Sequence, residues 1–473
     1  MDASAHFCGK KITVMGLGLL GRGVGDARYL ALCGAEVIVT DLKTREQLAD
    51  SVAQLESFSN ITFVLGEHRL EDFAGRDMIL KAAGVPLDSV YIAEANKNNI
   101  PVRMSADLFA EISGIPIIGI TGTRGKSTVT HMLHAILKEA GKKVLLGGNV
   151  RGVSTLSLLA EVTPEHIAVL ELDSWQLQGF GEARMSPHIA IFTTLFSDHL
   201  NYYSARGGSA SGGKDASEQY LADKANIFLY QGAEDTLILG KQCAPVIIEK
   251  YSDRIDSKTV VADELKLPDT WILKIPGMHN RYDAALALTA ARALNISDDT
   301  SRKALEVFKG VPGRLELVRE VYLPAQAGGI KIYNDTTATT PEATLAAISA
   351  ISDVGLPMSH IILIMGGADK GLEMDALVAK LPELKQVVFL AGSGTERIVG
   401  SLQEAEGSKI SSPFDSLKDA VANAFAHAES GDTILFSPAF ASFGMFKNEF
   451  DRGDQFNVLV SAIGGPASGG QAL

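Results

Sequence analysis

Short apolar runs alternate with helical periods along almost the whole chain. Residues 11 to 41 read as strand, glycine-rich turn, helix and strand: KITVMG, LGLLGRG, DARYLALCG and AEVIVTD. The rhythm continues through the strands ITFVLG and DMILKAAG to about residue 107. Uninterrupted apolar runs mark strands covered on both faces, and the strand–helix–strand order predicts a parallel sheet.

A second unit opens with the strand IPIIGIT, a glycine-rich turn and a helix starting near Ser127. Strands follow at AVLELD and IAIFTT, then two β-rich stretches between Leu237 and Lys274, then a helix through NRYDAALALTAARAL. The small, polar segment SARGGSASGGKDAS, residues 204 to 217, predicts a mobile surface insertion. A third unit begins near Gly313, with strands KIYND, HIILIMGG, QVVFLAG and DTILFSP. The tail IGGPASGGQAL is expected to fray. The expected architecture is α/β in three domains: a Rossmann-like domain at 1–110, a central P-loop ATPase-like domain at 111–312 and a Rossmann-like C-terminal domain at 313–473.

Bulk composition narrows the partners. With 473 residues, 46% of them hydrophobic and 21% charged, each domain can bury an ordinary core. The formal net charge of -13 disfavours nucleic acid and anionic membrane surfaces, which reward a basic face. Cys8, Cys33 and Cys243 lie far apart with no CxxC pair, so they are expected to be buried small hydrophobes rather than disulfides or metal ligands. Neither a secretory leader nor an apolar run long enough to span a bilayer is evident, and the cytoplasm is the expected compartment.

The strongest chemical signal is IIGITGTRGKST at 117 to 128. A buried strand feeds a glycine turn ending in Gly125-Lys126-Ser127, directly before a helix. Such a turn closes backbone N–H groups around phosphate oxygens, and the helix N-terminus adds partial positive charge. Gly122, Thr123, Gly125 and Thr128 then belong to the ATP cradle; Lys126 reaches the terminal phosphates and the Ser127 hydroxyl ligates Mg²⁺. Ile120 stands where the general pattern has its first glycine. Glu171, ending the strand in AVLELDSWQL, is the nearest acid for magnesium, since strand C-termini face the nucleotide crevice of an α/β sheet.

TGTRGKS, ELDSWQL and SDHLNYY occur together and in order, and with them the chain resembles the Mur ligases nearly end to end. It is most similar to the branch that adds D-glutamate to UDP-N-acetylmuramoyl-L-alanine. The resemblance implies ATP, two Mg²⁺ ions, Glu171 and His199 as ligands of the second ion, and Lys224 as the lysine that becomes carbamylated and helps to hold Mg²⁺. It places Asn149, in GGNVRG, close to phosphates and substrate, and Asn280, Arg314 and Asp335 near the nucleotide. Thr339, Lys370, Ser442 and Phe443 fall on the amino-acid side. Lys126, His199, Lys224 and Lys370 are the implied catalytic residues.

The Gly16-Leu17-Gly18-Leu19-Leu20-Gly21 turn, with Asp41 ending the next strand, is by itself a dinucleotide fingerprint. An NAD-dependent dehydrogenase is therefore the rival from another class, and the downstream phosphate loop has no place in it. The resemblance assigns the turn to the UDP group, with Gly18, Leu19 and Leu20 facing the nucleotide, Asp41 on uracil and Lys43 nearby. Several positions depart from the family pattern: Ala82-Ala83-Gly84 replaces Ser-Pro-Gly, Asp283 a frequent Asn, Thr337 a lysine and Glu449 an aromatic. An L-glutamate-adding ligase is the second alternative. The expected reaction passes through an acyl phosphate, which needs water excluded, so a mobile third domain is expected to close. A monomer acting on small molecules is expected.

Overall fold

The structure, a computed structural model, describes residues 3–196, 214–322, 328–352, 355–406 and 409–463. Among the described residues, sixteen strands form three sheets. The first contains β1 (Lys11–Met15), β2 (Glu36–Asp41), β3 (Ile61–Leu65), β4 (Met78–Lys81) and β5 (Val102–Arg103), in the order β3-β2-β1-β4-β5. All its pairings are parallel. The chain leaves β1 toward β2 on one side and reaches β4 on the other, so a topological switch point lies between β1 and β4. Crevices at such points are where open α/β sheets bind ligands.

The second sheet contains β6 (Ile117–Thr121), β7 (Lys143–Gly148), β8 (His166–Glu171), β9 (Ile189–Phe192), β10 (Thr236–Gly240) and β11 (Lys258–Ala262). Its order is β11-β10-β9-β6-β8-β7, again wholly parallel. β6 is central and buried along its whole length, as the run IIGIT requires. The first two sheets belong to one compact unit, Met1–Pro268 with Tyr282–Leu305. One apolar cluster runs through both, joining Leu30 and Val37 to Phe109, Leu156, Phe180 and Phe192. A polar tie accompanies it: Ser154 Oγ and Ser105 Oγ donate to Asp26 Oδ1 at 2.6 and 2.8 Å. Burial pushes the Asp26 carboxyl up to about 6, against the pull of the two hydroxyls and of Arg22.

The second unit comprises Asp269–Arg281 and Glu306–Leu473. Its sheet contains β12 (Glu316–Tyr322), β13 (Gly329–Asn334), β14 (Ile361–Gly366), β15 (Gln386–Leu390) and β16 (Thr433–Phe436), in the order β12-β13-β16-β14-β15. Only the β12–β13 pairing is antiparallel. Separate apolar clusters cover the sheet's two faces, one around Leu363, Phe389 and Leu435, the other around Ile364, Phe436 and Phe456.

The expected α/β class and the three-sheet layout hold. β5, β7 and β12 are additional to the expected strands. β12 escapes an apolar-run search because ELVREVY is half charged and half buried, as an edge strand is. The predicted insertion at 204–217 falls mostly outside the described residues; its last part, from Lys214, begins the helix Lys214–Ala225. Of the three cysteines, Cys33 and Cys243 are buried as expected, whereas Cys8 is exposed. No helix among the described residues is long and apolar enough to cross a membrane.

Candidate active site

The switch point of the first sheet opens into a cavity of about 410 Å³. One wall is the turn Gly16–Leu20 after β1, and another is Leu80–Gly84 at the end of β4. Gly16 has φ 99°, and a methyl group there would come within 2.8 Å of Ala82 Cβ, so only glycine lets the two turns approach. The opposite wall belongs to the second sheet: Lys126, Gly148, Asn149, Thr155, Asp173 and Trp175. The two glycine motifs that are more than a hundred residues apart in sequence thus face one space.

The phosphate loop is braced from the end of β9. Thr123 N donates to Thr194 O at 2.7 Å, Arg124 N to Thr194 Oγ1 at 2.9 Å, and Thr193 Oγ1 to Arg124 O at 2.5 Å. Gly122 (φ 141°) and Gly125 (φ 85°) take backbone conformations closed to most side chains. Gly125 opens the helix Lys126–Glu139 without a side-chain cap, so the first amides of that helix remain aimed at whatever enters the turn. Lys126 Nζ donates to the carbonyls of Gly122 and Thr123 at 3.0 and 3.1 Å, which holds the ammonium over the loop.

Glu171 ends β8 beside β6, paired in register with Ile120 just before the loop, and only 3% of it is exposed. Asn149 N donates to Glu171 O at 2.7 Å, and Asn149 Nδ2 lies 3.4 Å from Glu171 Oε1. Lys224, 1% exposed, comes from the helix Lys214–Ala225 and donates Nζ to Gly122 O at 2.9 Å and Thr121 Oγ1 at 3.3 Å. Its ammonium also stands over the Tyr220 ring, 4.8 Å from the centroid. His199 lies outside the described residues, and among those described no three His, Cys, Asp or Glu side chains gather as a metal centre. The donors that are present, the Ser127 hydroxyl in the first turn of the helix Lys126–Glu139 and the Glu171 carboxylate at the end of β8, are hard oxygens of the kind Mg²⁺ takes when nucleotide phosphates and water complete its shell. The residues fit that ion.

The second unit has its own cluster. Lys370 Nζ donates to Thr339 Oγ1 at 2.9 Å. Partial burial of that ammonium holds its pKa below the usual lysine range, with the Glu449 carboxylate opposing the shift and Arg452 adding to it. Arg452 is fully buried and donates to Thr336 O at 2.7 Å, Thr336 Oγ1 at 3.1 Å and Phe440 O at 3.2 Å. It thereby ties NDTTATT to the segment that carries Ser442, which is buried, and Phe443, which is 70% exposed. Asp335 accepts from Leu315 N at 3.0 Å and Ser437 Oγ at 2.8 Å, and burial pushes its carboxyl up to about 7. Arg314 is exposed next to that anchor. Asn280 Nδ2 donates to Pro276 O at 2.5 Å, so it fixes its own loop.

Gly18, Leu19, Leu20, Lys126 and Asn149 are therefore brought together, and Glu171 and Lys224 join them through Asn149 and Gly122. Asp41 and Lys43 are not on the cavity wall. The Asp41 carboxylate accepts from Gly18 N at 3.0 Å and Lys43 N at 2.9 Å, which braces the glycine turn. Two cations outside the recognised motifs do line the cavity, Arg22 and Lys81. Arg22 is one residue past the last motif glycine; Lys81 is the polar end of an apolar strand, and its Nζ donates to Val85 O at 3.0 Å. Thr193 and Thr194, the braces of the loop, are equally invisible without the β6–β9 pairing.

A phosphate loop and a second glycine turn sharing one cavity in a three-sheet α/β chain define a nucleotide-using enzyme of the P-loop ligase class. Family models match over three segments: "Mur ligase MurD-like, N-terminal domain" at 10–104, "Mur ligase middle domain" at 120–263 and "Mur ligase, glutamate ligase domain" at 313–440. A UDP-N-acetylmuramoylalanine--D-glutamate ligase from Roseiflexus sp. (strain RS-1) is 36% identical over 97% of this chain and 100% of its own. One from Borreliella burgdorferi is 33% identical over 95% and 97%. In fold, the chain is similar to the UDP-N-acetylmuramate-alanine ligase MurC of Thermotoga maritima, with a TM-score of 0.57, 19% identity and 96% and 99% covered. It is also similar to the MurF ligase of the same organism in complex with ADP, with a TM-score of 0.55, 18% identity and 98% and 99% covered. The chain belongs to the Mur ligase family.

Proposed function

We propose that this chain joins D-glutamate to UDP-N-acetylmuramoyl-L-alanine at the expense of ATP, forming ADP and phosphate, in peptidoglycan precursor synthesis. The carrying observation is the single cavity lined by both the Gly16–Leu20 turn and Lys126. A nucleotide-linked acid on one wall and a triphosphate on the other meet there, as transfer of a phosphoryl group between them demands.

The terminal carboxylate of the acceptor attacks the γ-phosphate of ATP, giving an acyl phosphate and ADP. The amine of glutamate then attacks the acyl carbon, a tetrahedral intermediate forms, and phosphate leaves. Gly122, Thr123, Gly125 and Thr128 hold the triphosphate through the loop and helix amides, and Lys126 carries positive charge to the transferring group. Ser127, Glu171, His199 and Lys224 are the proposed holders of two Mg²⁺ ions, which supply Lewis-acid neutralisation of phosphate charge when bound. Carbamylation of Lys224 would turn its ammonium into an anionic oxygen donor suited to that set. Asn280, Arg314 and Asp335 serve the nucleotide. Gly18, Leu19, Leu20 and Asn149 hold the UDP-linked acceptor, with Asp41 contacting uracil and Lys43 nearby. Lys370, Thr339, Ser442 and Phe443 hold the incoming amino acid, whose two carboxylates call for a cation. We assign the work to a monomer in the cytoplasm, with domains at 1–110, 111–312 and 313–473.

The test is phosphate release with ATP, the acceptor and each glutamate enantiomer separately. Release that requires the acceptor and D-glutamate is expected. Preference for the L form would move the chain to the L-glutamate branch. Release with neither substrate would reduce it to an ATPase, and reduction of NAD would restore the dehydrogenase.

A further inference from the structure

Arg22 is the first residue of the helix Arg22–Leu32, which starts immediately after the Gly16–Gly21 turn, and it lines the cavity with its side chain half-buried. Its Nη1 donates to Asn149 Oδ1 at 2.7 Å. That bond decides which end of the Asn149 amide faces which neighbour. The oxygen is turned to Arg22, so the nitrogen is turned to Glu171 Oε1, 3.4 Å away. A guanidinium on the first sheet thus orients an amide on the second sheet, next to the strand-end carboxylate proposed for magnesium.

Arg22 feels the nearby Asp26 carboxyl, but neither of the cavity's acids forms a salt bridge with it. Arg22 has no ion pair among the described residues. Asp26 is turned to Ser154 and Ser105, and Asp173 caps the helix Ser174–Glu182 by accepting from Gln176 N at 2.8 Å. A guanidinium carries about five N–H donors in a fork that matches phosphate oxygens, and the bond to Asn149 uses one edge of it. The first-sheet turn offers backbone amides and the uncapped start of the helix, but Gly18 N is already given to Asp41. A side-chain cation is what the turn lacks for a doubly charged group.

We infer that Arg22 binds the diphosphate of the nucleotide-linked acceptor and, with the same side chain, sets the orientation of Asn149. Arg22 is then a binding and positioning residue; it reports acceptor occupancy to the amide that touches Glu171. This rests on the acceptor being a nucleoside diphosphate derivative, as proposed above.

Calorimetry on the intact protein without ATP separates the two ideas, using UDP and uridine as probes on wild type, Arg22→Gln and Arg22→Lys. The glutamine keeps a donor for Asn149 without the charge. Arg22→Gln is expected to weaken UDP binding roughly tenfold while leaving uridine within about twofold, and Arg22→Lys to recover part of the loss. KM for the acceptor should rise in step, with KM for ATP unchanged. A ratio of UDP to uridine affinity that is the same in Arg22→Gln as in wild type overturns the role of Arg22, because a merely structural defect would weaken both probes alike. Wild type that binds neither probe overturns the acceptor reading itself.

Discussion

The Lys224 ammonium donates to the carbonyl of Gly122 at 2.9 Å, inside the phosphate loop and almost wholly out of solvent. Withdrawing an ammonium from water is costly, and this one sits at the phosphate loop, where it points to chemistry rather than packing. Lys224→Ala is expected to lower turnover by roughly 100-fold and to regain part of it with added formate or acetate, which replaces the lost anionic oxygen. Turnover measured with and without the acid decides the matter; unchanged turnover in the variant would take Lys224 out of the site.

Gly125 and Gly16 offer a paired comparison. A side chain at Gly125 would be driven into the carboxyl of Asp283, and one at Gly16 into Ala82, both from backbone with positive φ. Gly125→Ala is expected to weaken ATP binding at least about tenfold, and Gly16→Ala to raise KM for the UDP-linked acceptor by a similar factor, each sparing the other ligand. Cross-over of the two effects would mean that the turns do not divide the substrates between them.

Much of this was legible in the chain. Apolar runs bounded by glycine located β1, β6, β14 and β16, since strands covered on both faces must read that way. GTRGKST declared its turn because phosphate binding requires glycine backbone and a helix start at one place. Asp41 was harder: the motif marks a strand-end acid but does not announce that its carboxylate braces the glycine turn through the amides of Gly18 and Lys43. Arg22, Lys81 and Thr194 were not legible at all, because their neighbours come from other strands and arise only when the sheets are assembled.

Asp335 gives the second unit a pH signature. Its carboxyl is pushed up to about 7 by burial, despite the bonds from Ser437 and Leu315. A carboxyl whose folded pKa exceeds its unfolded value holds its proton longer in the native state. Stability is therefore greatest below the unfolded value, falls as pH rises toward 7, and levels off above it. Asp335→Asn removes that slope. Thermal melting between pH 5 and 8 should show a flatter profile in the variant, with a relative gain of roughly a few degrees at pH 8; parallel profiles would mean that the native carboxyl is already ionised.

Asp283 occupies a position where an amide would satisfy the same hydrogen bond to Thr128. Burial drives its carboxyl well above the ordinary range, so ionisation beside the loop is opposed in the folded protein. By the same linkage, the penalty grows as pH climbs past the unfolded value. Asp283→Asn is expected to raise melting temperature more at pH 8 than at pH 5, and to leave ATP affinity at pH 8 equal or improved. A marked loss of ATP affinity would show that the carboxylate itself is used.

Lys370 supplies the sharpest test of the amino-acid side. Its ammonium is held on Thr339 Oγ1, and partial burial sets its pKa below the usual lysine value. A lysine shifted downward loses its charge earlier as pH rises, so an anionic substrate that depends on it should bind progressively worse in alkali. KM for D-glutamate is accordingly expected to climb between pH 8 and 10 in wild type, with KM for ATP steady. Lys370→Arg, whose guanidinium stays protonated, should start from a poorer KM, because the fork does not fit a point-charge site, yet show no alkaline rise. Lys370→Met should be about 10-fold to 100-fold worse at pH 7.5 and independent of pH. An alkaline rise that persists in Lys370→Met would trace the titration to another group, and a KM at pH 7.5 equal to that of wild type would leave Lys370 without a role in holding glutamate.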